Sequence, residues 1–179
     1  MHRMGSNEDP LRKQLKDQFE GTGLDPDSKA TFCDWESLTE KLPTLKNLFA
    51  RTKSEFSIND KLGSIVPAKQ VGESNKIQVN TTLLKTKLNY AYTLGHEMIH
   101  VFDSIYNYSI IMNILGRTTM GSHGYGFYKE YRSYMWMYNN GDNINVNSYL
   151  KAYIFDFNQG GVDKVYKNLN TLNSSVINP

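Results

Sequence analysis

The sequence predicts an α+β domain, mostly helical with a small sheet, on three observations. Apolar residues recur at helical spacing along much of the chain, most clearly as the stripe Leu84, Leu88, Ala91, Tyr92, Gly95, Ile99 and Phe102. A second set, Leu38, Leu42, Leu45, Leu48 and Phe49, repeats the pattern. Between them Ile77 and Val79 alternate with polar residues in Lys76–Asn80, the signature of a half-buried strand.

The elements follow in order. Residues 1–10 read as a flexible leader, and residues 11–179 as a single domain, which suits a chain of 179 residues. Leu11, Leu15 and Phe19 mark a first helix, ended by the glycines and proline of Gly21–Asp27. Pro43 kinks or restarts the helical region from Leu38 to Phe49. Ile65-Val66 and Lys76–Asn80 are predicted strands, with Gly72–Asn75 as the turn of a hairpin. A helix is expected over Thr82–Tyr108. Gly95 in its middle costs about 1 kcal/mol against alanine, so a neighbour should approach its backbone closely. Gly116–Gly126 is a loop, Phe127–Asn139 a helix ended by Gly141-Asp142, and shorter helices near Tyr149–Phe157 and Val162–Leu169 close the chain.

Composition removes several function classes. Lys and Arg number 20 against 18 Asp and Glu, so a net charge of +2 gives no footprint for nucleic acid or an anionic membrane. The most apolar stretch, Met98–Leu115, is interrupted by Asp103, Asn107 and Asn113 and falls short of a membrane span. The polar start MHRMGSNEDP carries no apolar signal segment, and localisation stays unassigned. A single cysteine, Cys33, excludes an internal disulfide, a four-cysteine zinc site and an iron–sulfur cluster; it is expected to be a small buried hydrophobe.

His96-Glu97-Met98-Ile99-His100 is an HExxH motif on the predicted helix. Residues i and i+4 share a helix face about 6 Å apart along the axis, so both imidazoles can converge on one zinc ion. Glu97 points about 100° away, where it can take a proton from a water at the metal. Leu94–Asp103 resembles the active-site helix of small bacterial members of the zincin superfamily of zinc metallopeptidases. Lys76–Asn80 then corresponds to their edge strand along the substrate cleft. Lys129–Tyr134 looks like their second metal helix, in which a glutamate is the third ligand. The resemblance implies a zincin-like fold, a Zn2+ cofactor and a protein or peptide substrate, and leaves room for an inhibitory partner protein. Compact versions occur as toxin or effector peptidase modules of large bacterial proteins.

The third ligand has four candidates. The HExxHxxGxxH pattern is absent, because Asp103 and Tyr106 stand where it needs glycine and histidine. Glu130, 30 residues past His100, is the gluzincin-like choice and the only glutamate after Glu97. Asp103 lies on the histidine face about 7 Å beyond the metal's level on a straight helix, a distant ligand candidate that better suits a histidine N–H or the helix end. His123 in the glycine-rich loop is a ligand, a transition-state donor or an exposed loop residue. Asp142 reads as a turn residue. The family's asparagine before the glutamate and aspartate four after it are replaced by Lys129 and Tyr134. Tyr134 shares a face with Glu130 and is the expected oxyanion donor, with Arg132 and His123 as rivals. Two other readings stand beside a zinc endopeptidase: a zincin-like domain that binds metal or a partner without catalysis, and a helical interaction domain with a coincidental motif.

Overall fold

The computed structural model describes residues 14–110, 113, 124–144 and 149. Among them the order is a 3-10 turn (Asp17–Phe19), α1 (Asp34–Lys41), α2 (Pro43–Thr52), β1 (Glu55–Ile58), β2 (Ala68–Gln70), β3 (Lys76–Val79), a second 3-10 turn (Thr81–Leu83), α3 (Lys87–Ile105) and α4 (Gly124–Asn139). The α+β expectation holds. The leader, His123 and the predicted closing helices lie outside the described residues, Tyr149 excepted.

α3 organises the molecule. The Thr86 side chain caps it by accepting from the Asn89 N–H. Every residue from Tyr90 to Asp103 is buried. A helix buried on every side needs cover on all sides. Here α2, α4 and strands β2 and β3 supply it. Leu38 of α1, Leu42, and Leu45 and Leu48 of α2 add to the same core. Pro43 sits in the first turn of α2, so it restarts the helix, where its missing N–H costs nothing. No described helix is long and apolar enough to cross a membrane.

The sheet has the order β1-β3-β2. β1 runs parallel to β3, pairing Glu55 with Lys76 through Ile58 with Val79. β2 runs antiparallel to β3, pairing Ala68 with Val79 and Gln70 with Ile77. Ile77 and Val79 are buried as their alternation demands. The strand expected at 76–80 is therefore central. An edge strand does precede the HExxH helix, but it is β2.

Three further expectations are corrected. Ile65-Val66 is not a strand: Ile65 is 87% exposed, and the hairpin partner of β3 begins at Ala68. The first helix shrinks, within the described residues, to a 3-10 turn. Leu15 and Phe19 are buried, but so is Gln18, whose carboxamide exchanges hydrogen bonds with Thr44 at the start of α2 (2.6 and 3.0 Å). That tie and the positive φ of Gly21 and Gly23 stop the helix. Cys33 is exposed, because it precedes the first turn of α1 at the surface.

The mid-helix glycine has its predicted cause. A Cβ added at Gly95 would fall inside the ring of Trp136, which is buried between α3 and α4. Gly95→Ala should lower stability by about 2 kcal/mol despite its better helix propensity. That corresponds to a thermal midpoint lower by roughly 4–8 °C. Pairing it with a smaller residue at Trp136 should recover part of the loss; an unchanged midpoint in the single variant would contradict this packing.

Candidate metal centre

The centre is built where α4 meets the middle of α3. The i, i+4 spacing sets the imidazoles of His96 and His100 side by side, ring centroids 4.9 Å apart and planes nearly perpendicular. Both Nε2 atoms turn to Glu130 of α4: Oε2 lies 3.1 Å from His96 Nε2 and Oε1 lies 3.2 Å from His100 Nε2. Donor atoms bonded to one tetrahedral zinc at ~2.0–2.1 Å stand about 3.3 Å from one another. The chemistry and spacing of these donors therefore fit a small divalent ion. His96, Glu97 and His100 form a buried group with ligand atoms within 4.8 Å of one another that could hold a metal.

Glu97 is placed differently from Glu130. Its Oε1 stands 4.0 Å from His96 Nε2. Its Oε2 accepts a 2.8 Å hydrogen bond from the backbone N–H of Gln70 on β2. One oxygen is thus tied to the sheet and the other lies beside the imidazoles.

α4 presents a whole face to α3. Ser133, three residues after Glu130, donates to the His96 carbonyl (3.0 Å) and packs on the His100 ring, 3.2 Å from Nδ1 and 3.5 Å from Nε2. Tyr134, four after, sets its ring against His96, centroids 4.7 Å apart, and stacks on Tyr149. Met137, seven after, places Sδ 3.3 Å from His96 Nδ1. Ser133 and Met137 follow from the same helical periodicity as Tyr134. Gln70 had no such signal.

Asp103 and Arg132 form a pair with each other. Among the described residues, no histidine donates a hydrogen bond to Asp103. It accepts from Arg132 Nε at 2.8 and 2.9 Å, with Nη2 2.6 Å from Oδ1, and both residues are buried. The guanidinium lies over the Tyr108 ring. Burial pushes the Asp103 carboxyl up and Arg132 pulls against it. The pair pins the far end of α3 to α4, and losing one partner of such a pair costs ~3–5 kcal/mol. Arg132 is thereby engaged with Asp103. Asp142 follows α4, its N–H bonded to the Met137 carbonyl, a turn residue as read from the sequence.

No family model, curated protein or solved structure matches this chain. The chemistry is argued from the site itself.

In the metal-free chain the cluster carries a pH signature. Burial would raise the Glu130 carboxyl, but hydrogen bonds from His100 and His96 and their charge hold it far below the usual range. Burial would lower the His96 imidazole, but Glu130's hydrogen bond and charge, then Glu97's charge, push it up. A depressed carboxyl stabilises the fold above its ordinary pKa of 4.5 and loses that effect as pH falls. A raised imidazole stabilises it below 6.5 and loses the effect as pH rises through the raised value. The contribution of this cluster to metal-free stability should peak between those values. Denaturant melts across pH should show the peak in wild type and a flatter profile in Glu130→Gln; equal profiles would contradict the coupling.

Proposed function

We propose that this chain is a zinc-dependent endopeptidase of zincin type, with His96, His100 and Glu130 as metal ligands and Glu97 as general base. The observation that carries the reading is the division of labour between the two glutamates. Glu130 reaches both Nε2 atoms within 3.2 Å, whereas Glu97 stands off at 4.0 Å with one oxygen bound to the sheet. The sequence motif and the helical position of both histidines support the same assignment.

A zinc ion held by these three side chains would supply Lewis acidity, which acidifies water and polarises a carbonyl. The chain's own residues do the rest. Glu97 Oε1, beside the ligand group, takes a proton from the attacking water as its oxygen bonds to the carbonyl carbon. The same oxygen then gives that proton to the leaving nitrogen as the C–N bond breaks. To Tyr134, whose ring packs on His96, we assign the donation of a phenol hydrogen bond to the developing oxyanion. β2, not β3, is the edge strand beside Glu97. With its Gln70 N–H held by Glu97, an extended peptide would pair at the remaining outward main-chain groups of this edge.

Hydrolysis of fluorescein-labelled casein by zinc-loaded protein tests the reading. Wild type should cleave. Glu97→Gln should lose on the order of 100-fold or more in kcat while still binding zinc. Tyr134→Phe should lose roughly tenfold or more, again in kcat. A zinc-loaded wild type without turnover would leave a zincin-like domain that binds metal without catalysis; an active Glu97→Gln would overturn the role of that residue.

A further inference from the structure

Gln70 of β2 hydrogen-bonds α3 at two points, Glu97 and Ser104. The ladder bonds Val71 N–H to Lys76 C=O (2.8 Å) and Asn80 N–H to Pro67 C=O (2.9 Å) fix which groups of β2 face β3. Alternation along an antiparallel pair then turns the N–H groups of Ala68 and Gln70 to the open edge. An edge N–H ordinarily meets water. That of Gln70 instead meets Glu97 Oε2 at 2.8 Å, in a buried setting.

The Gln70 side chain secures that placement. It is 4% exposed, and its Nε2 donates to Ser104 Oγ (3.1 Å) and to the Ser74 carbonyl in the hairpin turn (2.8 Å). Glu97 and Ser104 are seven residues apart, so they share one face of α3 about 10 Å apart along its axis. Gln70 thus spans two turns of α3, by its backbone at Glu97 and by its carboxamide at Ser104. Ser104 in turn donates to Glu73 of the hairpin turn (2.7 Å), which also accepts from Tyr125 of α4 (2.8 Å). The hairpin is fastened to both helices of the centre.

We propose that Gln70 is a positioning residue for Glu97: its edge N–H holds Oε2, so that Oε1 alone is left turned to the metal ligands, and its carboxamide keeps the strand in place to do so. The catalytic consequence rests on the hydrolase reading; the hydrogen bond does not. A carboxylate free to rotate could present either oxygen, or swing onto the metal as an extra ligand. One oxygen fixed by a rigid donor removes that freedom.

Amide hydrogen exchange on the full chain tests the bond without any assay of activity. The Gln70 amide should exchange slowly in wild type and at least tenfold faster in Glu97→Ala, while Lys69, whose N–H faces β3, keeps its protection. A Gln70 amide that exchanges fast in wild type, or equally slowly in both, overturns the proposal. Kinetics on labelled casein test the consequence. Proline is tolerated on an edge strand where its nitrogen faces outward. Gln70→Pro should therefore lose roughly ten- to hundredfold in kcat, with KM and zinc affinity little changed. Gln70→Ala keeps the N–H and should lose less. Equal losses in the two variants, or a wild-type kcat in Gln70→Pro, overturn the positioning role. Should Gln70→Pro fail to fold, the exchange comparison decides by itself. A zinc-loaded wild type that cleaves nothing defeats the hydrolase reading and leaves the Gln70–Glu97 bond to be judged by exchange.

Discussion

A helix buried on every side cannot carry two imidazoles and two carboxylates unless its neighbours answer them. This constraint on α3 governs the rest of the molecule. Burying an unpaired charge is costly, so each polar group on α3 must have a partner held in place. His96 and His100 are answered by Glu130, Asp103 by Arg132, and Glu97 by the backbone of Gln70. α4 supplies the first two sets and β2 the third. The helix that bears the candidate metal ligands is therefore also the helix whose packing fixes the fold.

The neighbours are in turn pressed close by small features. Gly95 lets the Trp136 ring lie against the backbone of α3, one residue before His96. That contact brings α4 near enough for Glu130 to reach both imidazoles. The sheet is small and contributes little core beyond Ala68, Ile77 and Val79. Its importance is positional: the antiparallel hairpin of β2 and β3 delivers one edge amide to one carboxylate oxygen.

Much of this was legible in the sequence, and the omissions have physical causes. HExxH spacing on a helical stripe located the histidines, Glu130 stood out as the sole later glutamate, and the cost of a mid-helix glycine announced the close approach of a neighbour. β1 and β2 were illegible because they are short and bury few apolar residues. The sequences Glu-Phe-Ser-Ile and Ala-Lys-Gln become strands by pairing with β3, a non-local effect. Missing β2 made β3 look like the edge and hid Gln70, whose main-chain N–H has no residue-type signature. Asp103 and Arg132 are 29 residues apart, and only the crossing of α3 and α4 reveals that they pair. Helical spacing alone points to Tyr134; its ring lies against His96, and its role as a donor is proposed from that contact.

The central claim is that α3 and α4 together form a metal site with a glutamate as the third ligand. Elemental analysis of untagged protein, after zinc is added back and excess removed, tests it most directly in wild type beside Glu130→Ala. The account predicts about one zinc per chain in wild type and a clear loss in the variant. Zinc in neither protein, or equal zinc in both, would contradict it.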